Sequence, residues 1–167
     1  MGTNETKKGK EMSTRSRIGY VLPSGKVKHI FCHWDGYPSW NGRILMENYN
    51  SLKKARNLVR LGNIDVLGKK IIPDPDGGQH DLDKHQENVT VADHRDGGYA
   101  WKNSRPNIDT LEAFLHPNWN IEFLYLFKDG EWFVCDTCDP DRHLFPMTEE
   151  IADSNEWDDH VGFLKST

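Results

Sequence analysis

The stretch "NIEFLYLFKDGEWFVCDT", residues 120–137, constrains the fold of this chain more than any other part of its sequence. Two runs rich in aromatic and β-branched residues, 121–127 and 131–135, flank the turn sequence Lys128-Asp129-Gly130. Asp-Gly is a strongly preferred pair in tight hairpin turns, because both positions adopt left-handed backbone angles readily. This pattern predicts a β-hairpin near the C-terminal end of the chain.

A second hairpin is predicted near the N-terminal end. Residues 18–22 and 27–32 are strand-like, and Pro23-Ser24-Gly25 lies between them. Proline and glycine preset the dihedral angles that such a turn needs. The second of these strands leads directly into the sequence "HWDGYP".

Between and after the hairpins, the apolar spacing predicts helices and a few short strands. Residues 41–61 have apolar side chains near helical spacing and end at Gly62, a residue typical of helix termination. Residues 109–115 are predicted to form a short helix capped by Asp109 or Thr110. The other predicted elements are strands within residues 63–72 and 89–92 and one or two acidic helices in the tail from residue 146.

These elements define an α+β fold class: a single domain over residues 13–167, with an antiparallel sheet built from the two β-hairpins and helices packed on one face. Residues 1–12 have no periodicity, and Met12 is a plausible natural start, so we interpret them as a flexible lead or a cloning remnant. Residues 73–107 are rich in turn formers and predict little regular structure. A loop of this length in a compact domain is often functional.

Composition narrows the class of protein. Six Trp, five Tyr and seven Phe supply a large apolar area although only 36% of the residues are hydrophobic. No apolar run approaches the roughly 18 residues of a membrane span, and the first residues lack the apolar stretch of a secretory signal. Three cysteines, an odd number, suit a reducing compartment. We therefore expect a cytoplasmic protein without a membrane partner.

The charge is distributed unevenly along the chain. Residues 1–62 carry 12 Lys and Arg against 4 Asp and Glu, whereas residues 129–167 carry 2 against 11. Separate basic and acidic faces for partners are one interpretation. Pairing between the two ends of the chain is the other, and the sequence leaves both open.

The sequence "HWDGYP" and the residues after it form the main candidate site. A strand end followed by a glycine turn projects side chains from a rigid scaffold, and His33 with Asp35 forms a possible acid/base pair. Trp34, Tyr37 and Trp40 are suited to stacking on a ring or base. A purely structural corner, in which Asp35 bonds the turn amides, is the competing interpretation.

The segment "STRSR", residues 13–17, supplies candidate cationic groups. Antiparallel pairing in the first hairpin brings this segment beside the end of the second strand, so Arg15 and Arg17 are expected near the "HWDGYP" turn. Guanidinium groups there suit a phosphate or carboxylate. A salt bridge from one of them to Asp35 is the alternative.

Two further groups are weaker candidates for metal or catalytic sites. Cys135, Cys138 and His143 have a spacing that resembles half of a zinc site, but the sequence offers no second CxxC pair. The loop from His80 to Asp96 holds histidines and carboxylates that suit a divalent metal, although their intervals match no known spacing. We therefore predict no cofactor, with zinc or another divalent metal as the weaker alternative.

The combination of "STRSRIG", "HWDGYP", "NGRIL" and "FKDGEWFV" resembles a group of small bacteriophage and prophage proteins of unassigned function. The resemblance is closest over residues 13–62 and weaker over residues 89–135. It implies an accessory protein made in the host cytosol during infection. Proteins of this kind often bind a host factor, including components of defence systems, or sequester a nucleotide.

Three hypotheses for the function follow. The first is a non-enzymatic accessory protein that binds a host protein or a small anionic ligand through the corner of residues 13–17 and 33–40. The second is a small hydrolase or nucleotide-modifying enzyme that uses His33 and Asp35. The third is an acidic mimic of nucleic acid formed by residues 129–167. Binding to nucleic acid itself is not favoured, and the oligomeric state is left open.

Overall fold

Two β-hairpins lie side by side at the centre of a mixed eight-stranded sheet in the computed structural model, which describes residues 13–118 and 120–154. The strands are β1 (Ser16–Val21), β2 (Val27–Cys32), β3 (Ile64–Val66), β4 (Val91–Ala92), β5 (Asn107–Asp109), β6 (Phe123–Lys128), β7 (Glu131–Asp136) and β8 (Phe145–Pro146). The helices are α1 (Arg43–Asn48), α2 (Leu52–Val59), α3 (Asp93–Gly97), α4 (Trp101–Ser104), α5 (Leu111–Leu115) and α6 (Glu149–Asp153), and a π-helical turn, Pro38–Gly42, precedes α1.

The strand order is β4-β3-β2-β1-β6-β7-β8, and β5 pairs with the first half of β2. The hairpins β1–β2 and β6–β7 are antiparallel, as predicted, and β1 joins β6 in a parallel pair. A second parallel contact connects the end of β2 to β3. The predicted α+β domain is confirmed, and the sheet, predicted to be antiparallel, is mostly so, with parallel pairs at β1–β6 and β2–β3.

Side chains alternate between the two faces of the sheet and form a core on each. Helices α1, α2 and α6 cover the larger core, which has sheet residues such as Ile18, Ile30 and Tyr125 at its centre. The opposite face carries a smaller core, in which Phe114 of α5 packs with Leu124 and other residues. Most helical cover therefore lies on one face, as expected, and α5 adds a cap on the other.

The helices are short. The longest, α2, has eight residues, and no helix in the described part of the chain is long and apolar enough to cross a bilayer. The single helix predicted over residues 41–61 is divided at Tyr49, because Ser51 caps α2 by accepting a hydrogen bond from the Lys54 amide at 3.2 Å. The Tyr49 hydroxyl then donates to the Gly68 carbonyl at 2.7 Å, which ties this break to the loop after β3.

The C-terminal acidic segment pairs with the basic N-terminal third of the chain. The Arg43 guanidinium forms ion pairs with Glu149 at 3.1 Å and with Asp153. Part of the uneven charge is therefore neutralised within the molecule, in agreement with one of the two interpretations. The predicted acidic helices correspond to α6 up to Asp153, and residues 155–167 lie outside the described residues.

Candidate functional site

The segment after β2 follows the sheet for two more residues before the chain turns. The amides of His33 and Trp34 donate to the carbonyl oxygens of Ile64 and Asp65, each at 3.2 Å. These bonds extend the parallel pairing that begins between Cys32 and Ile64. The backbone of the "HWDGYP" corner is thus fixed by β3 as it leaves the sheet.

The turn itself depends on Asp35 and Gly36. Asp35 has a φ of 58°, the left-handed region that aspartate tolerates better than most residues. The Gly36 amide donates to the Thr14 carbonyl at 2.9 Å, and the Gly36 carbonyl accepts from the buried Tyr125 hydroxyl at 2.6 Å. A Cβ atom on Gly36 would lie 2.8 Å from the Thr14 oxygen, so glycine is required by this close approach.

Asn41 closes the corner from inside. Its side-chain amide donates to the Trp34 carbonyl at 3.0 Å, and its backbone amide donates to the Asp35 carbonyl at 3.2 Å. Asn41 is completely buried in the π-helical turn Pro38–Gly42, which begins after Tyr37. The side chains of the corner therefore project from a backbone that is bonded on three sides, which preorganises a surface. Among the described residues, however, no turn amide donates to the Asp35 carboxylate, which is the bond that the structural interpretation expected.

A groove of about 600 Å³ lies beside this corner. It is called the corner groove below, and its lining residues are Trp34, Asp35, Ser39, Trp40, Arg43, Ile44, Glu47, Val66, Leu67, Gly68, Lys69, His85, Glu87, Asn88 and Val89. Trp40 is 53% exposed, and Trp34 and Asp35 are half-buried. Burial raises the pKa of the Asp35 carboxyl, and among the described residues no ion pair involves it.

The predicted site residues divide between this groove and other places. Trp34, Asp35 and Trp40 line the groove together, whereas His33 does not. The His33 ring packs edge-on against Trp34 with ring centroids 4.5 Å apart, and no hydrogen bond within the described residues joins it to Asp35. The half-buried Tyr37 packs against the larger core.

Neither arginine of "STRSR" lines the corner groove beside the turn, and the alternative, a salt bridge to Asp35, is absent among the described residues. The Arg15 backbone is tied to Glu122: its amide donates to the Glu122 carboxylate at 2.7 Å, and its carbonyl accepts from the Glu122 amide at 2.9 Å. Arg17 donates to the His29 ring at 3.2 Å, beside Phe114 and the smaller core. The backbone of residues 14–16 is beside the turn, as predicted, but alternation along β1 directs Arg17 to the opposite face.

Further carboxylates lie behind the corner. The pKa of Asp93, at the start of α3, is raised to about 6, by burial first and then by repulsion from Asp65. Asp65 is the residue whose carbonyl accepts from the Trp34 amide. The carboxylates of Asp65 and Asp93 are therefore close enough to repel each other.

The raised pKa of Asp93 makes the stability of the folded protein decrease as the pH rises. Because its folded-state pKa of about 6 is above its ordinary value of 3.8, the protonated form favours the folded state, and this stabilisation is lost as pH rises through 6. We expect Asp93→Asn to raise the free energy of unfolding above pH 6 and to leave it unchanged near pH 4. Urea denaturation of both proteins at several pH values measures this. An equal difference at every pH would contradict the assignment.

The loop from His80 to Asp96 forms a network of structural hydrogen bonds. The His80 ring donates from Nε2 to the Thr90 carbonyl at 3.0 Å and accepts at Nδ1 from the Gln86 amide at 3.1 Å. Arg95 donates to the same Thr90 oxygen at 2.9 Å and pairs with Asp96. Both nitrogens of His80 are thus used in holding the loop, which gives this segment an ordered backbone although its sequence predicts little regular structure.

The cysteines and His143 are not assembled into a ligand set. Cys135 is buried, and burial raises its pKa to about 12, whereas Cys138 is exposed. Within residues 13–118 and 120–154, the ligand atoms that lie within 4.8 Å of one another belong to Asp139, Asp141 and His143. Asp139 there accepts hydrogen bonds from the Asp141 amide and from both the amide and the ring of His143, as expected of a self-bonded turn.

Sequence reasoning missed residues 66–69 of the far wall of the corner groove and the cluster around His29, whereas the rest of that wall belongs to the candidate loop from His80 to Asp96. The wall comes from residues 66–69 and 85–89, which are distant in sequence and carry no motif. The His29 ring donates to Asp109 at 2.8 Å, a contact that requires β5 to pair with β2. A polar histidine within the apolar run "VKHIFC" is the one signal of this cluster in the sequence.

Comparison with known proteins gives no match to any family model, curated protein or solved structure. The function is therefore inferred from the residues and geometry of the two clusters around Asp35 and Arg17.

Proposed function

We propose that the protein is a binding protein whose corner groove receives a basic side chain of a partner protein. The observation that carries this proposal is Asp35: a half-buried carboxylate, without an ion pair among the described residues, in a groove that Trp34 and Trp40 also line. A buried charge without a partner is costly, and a cation supplied by a ligand removes that cost.

The aromatic lining strengthens the preference for a cation. The faces of indole rings attract ammonium and guanidinium groups, with the largest effect where water is excluded. Trp40 is half-exposed, so a partner can contact it, and Trp34 packs edge-on against the His33 ring. Two tryptophans and one carboxylate in a single groove thus suit a lysine or arginine side chain.

The charges around the groove agree with a basic ligand. Asp35 and Glu87 are acidic lining residues outside the ion pairs of the described region, while Arg43 is already engaged by Glu47, Glu149 and Asp153. Lys69 is the basic lining residue outside the ion pairs of the described region. A small anionic ligand or a nucleic-acid phosphate in this groove would be repelled by Asp35, and Arg17, which lies outside the groove, could not neutralise it. The groove therefore favours a basic side chain of a protein partner over an anion.

The resemblance to phage proteins suggests that the partner is a protein of the host. An accessory protein made in the host cytosol meets host proteins, and electrostatic complementarity would steer a basic segment towards the groove. The alternative of an enzyme using His33 and Asp35 stays a prediction, and its two groups have no hydrogen bond to each other in the described structure. The acidic-mimic hypothesis also stays a prediction, and Arg43 neutralises two of the carboxylates on which it depends.

Peptide selection tests the proposal without knowledge of the partner. A displayed library of random peptides is first depleted on the Asp35→Asn/Trp40→Ala double variant and then selected on the immobilised natural protein. We expect the enriched peptides to carry Lys or Arg more often than the starting library. The Trp101→Ala variant is the matched control, since Trp101 is 41% exposed but lies outside the groove.

Two results would contradict the proposal. One is enrichment of peptides that lack basic residues. The other is equal retention of the enriched peptides by the double variant, which would show that they bind elsewhere on the molecule.

A further inference from the structure

A second cavity, of about 320 Å³, lies beside the smaller core and away from the corner groove. Its lining residues are Arg17, His29, Asn107, Asp109, Ala113, Phe114, His116, Pro117 and Asn118. It is called the Arg17 pocket below. We propose that the Arg17 pocket binds the carboxylate group of a small organic acid, independently of the partner in the corner groove.

Arg17 is held in position by the buried ring of His29. His29 is almost completely buried, donates from Nε2 to Asp109 at 2.8 Å and accepts at Nδ1 from Arg17 at 3.2 Å. Burial is the largest cause of its lowered pKa, which keeps the ring neutral so that Nδ1 stays an acceptor. His29 is therefore a positioning residue: both of its nitrogens are used, and it fixes the guanidinium group of Arg17.

Most N–H donors of Arg17 are unused by hydrogen bonds in the described structure. A guanidinium group has five N–H donors, and in the described structure one of them is used, on His29. Arg17 is half-buried, so its remaining donors are only partly solvated, and its planar group matches the two oxygens of a carboxylate. A preorganised arginine with unused donors in a cavity is a site for an oxyanion.

The charge and size of the pocket favour a carboxylate over a phosphate. Asp109 lines the same pocket and offsets the positive charge of Arg17, which disfavours a doubly charged anion. Ala113, Phe114 and Pro117 add some apolar surface to a mostly polar lining, and the volume of the pocket is near the lower end of the range for small-molecule sites. A singly charged, planar carboxylate with a small apolar group fits these properties best.

An NMR titration of the isotope-labelled full chain tests the proposal. Sodium acetate, sodium benzoate and sodium phosphate are added separately at constant ionic strength, with sodium chloride as the reference. We expect saturable shifts of the Asn107 and Asn118 signals with benzoate and acetate. Arg17→Lys keeps the charge but loses the planar fork, so its affinity for benzoate should fall about tenfold or more.

Matched variants keep the test independent of folding. Arg105→Met removes an exposed arginine outside the pocket and should leave benzoate binding unchanged. Asn118→Asp adds a negative charge to the lining without touching Arg17 and should weaken binding. Saturation by phosphate alone, no saturable shift with either carboxylate, or equal affinity in the Arg17 and Arg105 variants would each overturn the proposal.

Discussion

Replacing Asp35 by Asn is expected to lower the affinity for the selected basic peptides about tenfold or more, equivalent to ~1.4 kcal/mol. The substitution removes the charge that faces the cation and keeps the shape of the side chain. Asparagine also tolerates the φ of 58° at this position, so the turn should be preserved. Isothermal titration of one selected peptide into both proteins gives the measurement.

The same variant separates binding from folding. Burial raises the pKa of Asp35, so the charged carboxylate destabilises the folded state, and Asp35→Asn should not reduce the free energy of unfolding at neutral pH. The peptide affinity of the natural protein should weaken as pH falls through the raised pKa of Asp35, whereas that of the variant should not follow this titration. Unchanged affinity in Asp35→Asn would show that the cation does not meet this carboxylate.

Replacing Gly36 by Ala is expected to destabilise the protein by about 1–3 kcal/mol and to abolish peptide binding. The added Cβ would lie 2.8 Å from the Thr14 oxygen and 3.1 Å from the Ser16 Cβ, so the corner has to move away from β1. That movement also stretches the hydrogen bond from Tyr125 to the Gly36 carbonyl. Urea denaturation gives the change in stability, and the peptide titration gives the change in binding.

A glycine in open space provides the control for this substitution. Gly25 in the first hairpin has a φ of 90°, and a Cβ atom added there would meet nothing within 4 Å beyond its chain neighbours, so Gly25→Ala costs only the backbone strain of about 1 kcal/mol. Its peptide binding should be retained. Equal losses of binding in the two variants would mean that binding follows overall stability and not the position of the corner.

The hairpins were predictable from sequence because their signals are local. The Asp129-Gly130 turn and the Pro23-Ser24-Gly25 turn lie between strands whose residue types and lengths favour pairing with each other. The division of the helix near Tyr49 was not predicted, since apolar spacing continues through it. In the structure Ser51 caps α2, and the Tyr49 hydroxyl bonds the loop after β3, a contact between segments that local spacing does not encode.

The sequence predicted the arrangement of the candidate site only where strand pairing brings two backbone segments together. Antiparallel pairing correctly placed residues 14–16 beside the turn, but the face to which Arg17 points depends on alternation along a strand whose start was not known. The opposite wall of the corner groove depends on how a loop of low periodicity folds, and the hydrogen bonds of His80 and Arg95 that order it join residues without a motif. Asp109 reaches His29 through pairing of β5 with β2, which local patterns do not encode.

We propose above all that Trp34, Asp35 and Trp40 form one cation-binding groove. Its most direct test is an NMR titration of the isotope-labelled protein with a selected basic peptide, in which the indole N–H signals of the tryptophans are followed. We expect the Trp34 and Trp40 signals to shift and saturate together, while the Trp101 signal stays in place. Saturation that shifts Trp101, or that leaves Trp34 and Trp40 unmoved, would contradict the claim.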